Sequence, residues 1–136
     1  MRHSPEETKK LAWLIFGDVL TLSLVTVFGF ATHGTLATSG SRVLSTLIPL
    51  IASWVLLAPF VGVYHLTWTA DLRQVWRPFW AMILAAPFAA WMRCVWLGTP
   101  ILPIFVVVLG GISALAILAW RIVYWLVASR SRIAHG

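Results

Sequence analysis

The sequence predicts an all-α polytopic membrane protein, a bundle of four transmembrane helices with both termini in the cytoplasm. Of its 136 residues, 60% are hydrophobic and only 10% are charged, and the mean hydropathy is +0.90. A soluble domain is about 45–50% apolar and roughly 25% charged, so this chain lacks the polar residues to cover a water-exposed surface. The apolar residues also fall into four runs. Each is about 20 residues or longer, the length that crosses roughly 30 Å of hydrocarbon as a helix.

Short polar segments separate the four runs. In chain order, the sequence divides into a cytoplasmic tail 1–10, apolar runs 11–31, 43–66, 78–97 and 101–127, and a cytoplasmic tail 128–136. Backbone groups find no water partner in lipid, so each run is expected to form a helix. The first run is longer than the apolar core of a signal peptide and contains Asp18. We therefore expect this run to be retained as the first helix.

The positions of Lys and Arg predict the orientation in the cell membrane. With four crossings, the two tails and the link between the second and third runs lie on the same side. That side carries Arg2, Lys9, Lys10, Arg73, Arg77, Arg130 and Arg132, whereas the opposite side carries only Arg42. Because cytoplasmic segments are enriched in Lys and Arg, this asymmetry predicts that both termini are cytoplasmic. The same placement explains the formal charge of +6 without a nucleic-acid partner, which we do not expect.

Three charged residues, Asp18, Arg93 and Arg121, fall inside the apolar runs. A charge within the bilayer is costly and is therefore expected to face the bundle and to have a partner. At the rise of an α-helix, Asp18 lies roughly 10 Å and Arg121 about 9 Å from the cytoplasmic ends of their runs. We therefore predict an intramembrane ion pair between Asp18 and Arg121, which would make the first and fourth helices neighbours. Such a pair either fixes the order of the helices or takes part in transport or proton relay.

Arg93 lies nearer the opposite membrane surface, about 6 Å from the outer end of the third run. From that depth its side chain can reach the lipid headgroups or make a structural hydrogen bond. It can also bind an anion or a carboxylate deeper in the bundle. The sequence leaves these alternatives open.

Small residues share helix faces with these charges. Small residues let membrane helices approach closely, so these faces are predicted to form the interior of the bundle. The four predicted inward faces comprise Asp18, Thr21, Leu22, Val25, Gly29, Thr32 and His33 on the first helix, Ala58 and Gly62 on the second, Ala86, Ala89, Ala90 and Arg93 on the third, and Gly110, Ala114, Ile117, Arg121 and Tyr124 on the fourth.

The remaining polar residues give weaker signals. We take His33 as a candidate polar site at the outer interface, and Tyr64 and His65 as candidates at the inner one. The two histidines are about a membrane thickness apart, so they cannot ligate one haem together. The single cysteine, Cys94, excludes an intramolecular disulfide and Cys-based zinc patterns. We therefore expect neither a metal nor a cofactor, although a bound lipid, quinone or carotenoid stays open.

Several short motifs together resemble the uncharacterised prokaryotic integral membrane family known as domain of unknown function 3054. They are Gly17-Asp18, His33-Gly34, Ala58-Pro59, Gly62-Val63-Tyr64, Pro87, Arg93 and Trp120-Arg121, and in this order they cover nearly all of the chain outside its tails. The resemblance implies a four-helix integral membrane protein. It implies no activity and no catalytic residue.

Two functional hypotheses follow from these observations. The first is a small non-enzymatic membrane protein that acts through helix contacts, as an accessory subunit or scaffold, with membrane lipids, other membrane subunits or further copies of itself as partners. The alternative is a small oligomeric transporter or channel in which Asp18, Arg121 and Arg93 line the path. An enzyme is not expected, because the sequence has no recognisable cluster of acid, nucleophile or metal-binding residues.

Overall fold

Residues 4–34 and 40–134 are described in the computed structural model of the chain. Within these ranges the regular secondary structure is entirely helical and consists of four long helices, one short helix and one 3₁₀ turn. The elements are α1 (Pro5–Thr32), α2 (Gly40–Leu57), α3 (Leu66–Thr69), a 3₁₀ turn (Leu72–Gln74), α4 (Trp76–Leu97) and α5 (Pro103–Ala134). The predicted all-α fold class is confirmed.

Four helical segments of the described chain are long and apolar enough to span a membrane. They are Pro5–Thr32, Gly40–Leu57, Leu72–Leu97 and Pro103–Arg130. The chain is therefore a multi-pass membrane protein. One end of the bundle holds the start of α1, the end of α5 and the α2–α4 connection, and we call it the terminal end. We call the opposite end the far end. The cytoplasmic placement of the terminal end stays a prediction.

The first and last helices, α1 and α5, extend into segments that we predicted from the sequence to be tails. α1 begins at Pro5, because the Ser4 hydroxyl accepts a hydrogen bond from the Glu7 amide and the Glu7 carboxylate accepts one from the Ser4 amide. This reciprocal capping satisfies two amides of the first turn, and proline is favoured at the first helical position. α5 continues to Ala134. Of the predicted tails, residues 1–3 and 135–136 lie outside the described residues.

The second helix is shorter than predicted, since α2 ends at Leu57 and not near residue 66. Pro59 disfavours the helical conformation at Ala58 and has no amide hydrogen to continue the helical ladder. The chain then turns, with Gly62 in the left-handed region at φ 75°. A Cβ atom at this position would also lie 2.2 Å from the Trp68 ring, so the turn requires glycine for two reasons. Residues 58–64 therefore form a tight turn, which we call the α2–α3 turn.

The four long helices close into a ring in the order α1, α2, α4, α5, so that α1 and α5 are neighbours as predicted. The small residues of α4 and α5 make close contact: a Cβ on Gly110 would lie 2.6 Å from Cβ of Ala86. The predicted faces of α4 and α5 are largely buried. The core lies between the helices and includes Leu22, Leu50, Trp54, Met82, Ala85, Ala89, Ala114 and Ile117.

The inward face of α1 differs from the predicted one beyond its first turns. Asp18 and Leu22 are buried as expected, but the row continues through Leu14, Gly17 and Thr26. Gly29 and His33 are exposed instead. The sequence-based face followed the polar residues toward the end of the helix. The packed face instead runs through Leu14, Asp18, Leu22 and Thr26, which are four residues apart, with Gly17 beside them.

Candidate functional site

A buried polar cluster occupies the terminal-end half of the bundle, and Asp18 of α1 is at its centre. The Asp18 side chain is 0% exposed and Arg121 of α5 is 5% exposed. Arg121 Nη2 donates to Asp18 Oδ2 over 2.6 Å. The intramembrane ion pair predicted from the depths of the two residues is therefore confirmed. A guanidinium–carboxylate hydrogen bond of this length is strong because both groups are charged and shielded from water.

Two aromatic side chains from the α2 side complete the cluster. The Tyr64 hydroxyl donates to Asp18 Oδ2 over 2.9 Å, and the Trp54 indole Nε1 lies 3.3 Å from the same oxygen and 2.9 Å from the Tyr64 hydroxyl. The Arg121 guanidinium carbon lies 5.6 Å from the centre of the Tyr64 ring. One carboxylate oxygen thus accepts hydrogen bonds from groups on three parts of the chain, α5, α2 and the α2–α3 turn.

Close packing between α1 and α5 sets the position of the ion pair. Gly17 precedes Asp18 and Trp120 precedes Arg121, and these two neighbours also pack together. A Cβ on Gly17 would lie 1.9 Å from Trp120 Cζ2, so the indole occupies the space that any side chain at position 17 would need. This contact lies one residue before each member of the ion pair, so the same stretch of α1 and α5 carries both interactions. The adjacent dipeptides Gly17-Asp18 and Trp120-Arg121 therefore work as one packing unit.

Arg77 of α4 fixes the α2–α3 turn that presents Tyr64. Arg77 Nη1 donates to the Val61 carbonyl over 2.9 Å, and Arg77 Nε donates to Gln74 Oε1 over 2.6 Å. The guanidinium carbon also lies 4.1 Å from the centre of the Trp68 ring. A planar cation suits this combined stacking and directional hydrogen bonding. The turn is thus held against α4, which orients Tyr64 toward Asp18.

The cluster is closed on most sides but keeps two polar atoms without a protein partner. Asp18 Oδ1 and Arg121 Nε are buried and have no hydrogen-bond partner among the described residues. Arg121, Gly62 and Arg77 border a small cavity of about 20 Å³, which is room for about one water molecule. Leu22 and Ile117, both fully buried, lie one helical turn from Asp18 and Arg121 toward the far end. Asp18 borders neither this cavity nor the larger one described next.

A second cavity, which we call the far-end cavity, has a volume of about 580 Å³ and lies among all four long helices. Arg93 of α4 reaches into it and donates from Nε to the Thr46 hydroxyl over 3.0 Å. Its guanidinium carbon lies 4.8 Å from the centre of the Phe105 ring. Of the alternatives that the sequence left open for Arg93, the structural hydrogen bond is present. Arg42 and His33 also border the cavity.

The other candidate polar sites lie apart from one another. His33 is exposed at the far end, where its amide caps α1 by donating to the Ala31 carbonyl. His65 is exposed at the terminal end, with its ring centre 4.4 Å from that of Trp68. Tyr64 is not an interfacial site, because its hydroxyl turns inward to Asp18. Among the described residues, no group of three or more His, Cys, Asp or Glu side chains could hold a metal ion.

Trp54 is the cluster member that sequence reasoning did not assign. Its side chain is 0% exposed. Its position in the middle of the second apolar run was the available signal. A tryptophan at that depth is buried, and a buried indole N–H requires a hydrogen-bond acceptor. Asp18 and Tyr64 supply that acceptor.

Comparison with known proteins places this cluster in a family context. A model of the family described as a protein of unknown function, DUF3054, matches residues 15–124. The chain belongs to this family. The matched range contains all four residues of the polar cluster and Arg93. No curated protein and no solved structure matches the chain.

Proposed function

We propose that this DUF3054 protein is a non-enzymatic membrane protein that acts through helix contacts, as an accessory subunit or scaffold. The observation that carries the proposal is the fully buried Asp18 carboxylate, which is engaged by Arg121, Tyr64 and Trp54. A carboxylate that carries protons or ions must meet them during each cycle. An acid that accepts hydrogen bonds from three donors and borders neither of the two cavities described above is better suited to locking helices together.

A row of exposed apolar side chains along α4 supplies a surface for helix contacts. We call it the α4 ridge, and it consists of Trp76, Trp80, Leu84, Phe88, Trp91 and Val95, which are 37–66% exposed. Their spacing of three or four residues aligns them on one side of the helix. Phe88 and Trp91 stack with ring centres 5.7 Å apart. Rigid aromatic side chains of this kind offer large contact area to a neighbouring helix with little loss of side-chain freedom.

Native mass spectrometry on protein extracted gently from its own membranes tests this proposal. A complex with other chains at fixed stoichiometry is the expected result, and Leu84→Ala in the α4 ridge should weaken it. Leu115→Ala on α5 is the matched control, because Leu84 and Leu115 are 58% and 60% exposed. Masses that are only small multiples of 15.1 kDa, together with solute flux by the purified chain, would contradict the proposal.

One observation favours the alternative of a small oligomeric transporter or channel. The small cavity beside Arg121 and the far-end cavity beside Arg93 lie on opposite sides of the Asp18–Arg121 pair. Transport along this line would require the pair, Leu22 and Ile117 to move apart. Purified protein in vesicles would then conduct protons or chloride, and Asp18→Asn would abolish the flux without changing assembly. Loss of assembly in that variant would instead favour the structural lock.

A further inference from the structure

We infer that the far-end cavity is a binding site for an anionic phospholipid, with the headgroup phosphate at Arg42 and Arg93 and part of an acyl chain in the cavity below. This site goes beyond the proposed function and does not depend on it, since a scaffold and a transporter could each carry a bound lipid. The inference rests on the charge at the far end, the geometry of Arg93 and the apolar walls of the cavity.

Among the described residues, no acidic side chain lies at the far end beside Arg42 and Arg93. The only acidic residues of the chain are Glu6, Glu7, Asp18 and Asp71. Asp18, which is paired with Arg121, lies 14 residues before the end of α1, or about 21 Å along the helix. The other three lie at the terminal end. The positive charge of Arg42 and Arg93 is therefore available to an anion from outside the protein.

The polar end of the cavity is organised for an oxyanion. The Thr46 hydroxyl accepts a hydrogen bond from Arg93 Nε, and this bond connects α2 to α4. The same hydroxyl donates to the Arg42 carbonyl over 2.9 Å within α2. Contact with the Phe105 ring holds the other side of the Arg93 guanidinium. Among the described residues, the only hydrogen bond that the Arg93 side chain donates is the one from Nε, and its two Nη groups donate none. A guanidinium can bind phosphate oxygens with two parallel hydrogen bonds.

The rest of the cavity suits a hydrocarbon chain. Leu, Val, Ile and Phe side chains from α1 and α5 form most of its walls, and its volume of about 580 Å³ falls within the roughly 300–1,000 Å³ of ligand pockets. From Leu24 in α1 to His33, the residue that follows the helix, it extends over nine helical rises, or about 14 Å. Leu24, Phe28, Val108 and Ile112 line it and are 48–70% exposed, so it opens sideways toward the surrounding lipid.

The depth of the two arginines selects a lipid over a soluble anion. Arg93 lies four residues before the end of α4, about 6 Å inside the far end, and Arg42 lies in the first turn of α2. A phospholipid of the surrounding leaflet places its phosphate near this level and its acyl chain against the apolar walls. A free inorganic anion would leave those walls unfilled.

Lipid binding to the delipidated full chain, measured by native mass spectrometry, tests this inference. The probes are phosphatidylglycerol and phosphatidylcholine with identical acyl chains. We expect the protein to prefer phosphatidylglycerol, and the double variant Arg42→Gln/Arg93→Gln to lose about tenfold in affinity for it, as expected when charge-assisted hydrogen bonds are removed. Arg73→Gln/Arg130→Gln at the terminal end removes the same charge and should keep the preference.

A second pair of variants tests the acyl-chain part of the site without changing charge. Gly29 lines the far-end cavity and a Cβ there meets no atom within 4 Å, so Gly29→Leu should fill the cavity while leaving the fold intact. We expect it to reduce phosphatidylglycerol binding. Gly111→Leu is the matched control, because Gly111 also has open space but does not line the cavity.

Three results would overturn the inference. The first is equal binding of the two lipids by the unaltered protein. The second is an unchanged preference in Arg42→Gln/Arg93→Gln, with helical content confirming that the variant is folded. The third is displacement of phosphatidylglycerol by millimolar inorganic phosphate together with unaltered binding in Gly29→Leu, which would identify the site as one for a soluble anion.

Discussion

The indole of Trp120 on α5 occupies the position where a side chain at Gly17 of α1 would stand. A Cβ on Gly17 would lie 1.9 Å from Trp120 Cζ2 and 2.2 Å from Cε2. Non-bonded atoms cannot approach this closely, so any residue larger than glycine at position 17 must displace the ring or separate the helices. The contact lies beside the Asp18–Arg121 ion pair and connects helix packing directly to the polar cluster.

The first prediction concerns this contact. Gly17→Ala should destabilise the bundle by about 1–3 kcal/mol, because overpacking forces side chains and backbone to shift. Unfolding by titration with a denaturing detergent measures the change. Gly111→Ala is the control, since a Cβ at that position meets nothing within 4 Å, and it should leave stability unchanged or raise it. Equal stability of the two variants would show that Trp120 moves aside without loss.

A second prediction tests whether the contact is specific to the indole. Trp120→Leu removes the ring atoms that would collide with a side chain at position 17. Gly17→Ala should therefore be less damaging in the Trp120→Leu background than in the unaltered protein. The same unfolding titration gives the coupling between the two changes. Additive effects would mean that the ring does not determine what position 17 tolerates.

The third prediction concerns the hydrogen bond from Tyr64 to Asp18. Tyr64→Phe removes the hydroxyl that donates to Asp18 Oδ2 and should lower stability by about 1–3 kcal/mol, since the carboxylate loses a buried donor. In an Asp18→Asn background the same change should have a smaller effect, because the charged acceptor is already absent. An undiminished effect would indicate that the hydroxyl acts through packing alone.

The fourth prediction concerns the α2–α3 turn. Arg77→Gln removes the hydrogen bond to the Val61 carbonyl and the stacking on Trp68. Amide hydrogen exchange within residues 58–69 should become faster by about tenfold, as expected for the loss of roughly 1.4 kcal/mol of local stability. Arg73→Gln is the control, because Arg73 is exposed and belongs to the same connection. Similar exchange in both variants would show that Arg77 does not hold the turn.

Much of this architecture could be predicted from the sequence, because it depends on how deep each residue lies along a helix that crosses the membrane. The bilayer fixes the length of each helix, so the positions of Asp18 and Arg121 along their helices were enough to predict their pairing. Small residues on α4 and α5 also predicted the inward faces, because large side chains keep membrane helices apart.

The parts that the sequence did not predict depend on how the chain turns. A proline in an apolar run can kink a helix or end it, and at Pro59 the helix ends. That early end brings Tyr64 back toward the bundle instead of leaving it at the interface. Trp54 was missed for a related reason, since one of its two partners, Tyr64, reaches it only through this turn. The far-end cavity likewise depends on helix spacing that no single-helix pattern reveals.

The central claim is that the Asp18–Arg121 pair holds α1 against α5, and a double-mutant cycle tests it most directly. Stability would be measured for Asp18→Asn, Arg121→Gln and the double variant by the same unfolding titration. Removing one member of a buried pair costs about 3–5 kcal/mol because the other charge is left uncompensated. We therefore predict that the double variant is clearly more stable than the sum of the single losses implies. Strictly additive losses would contradict a direct structural role for the pair.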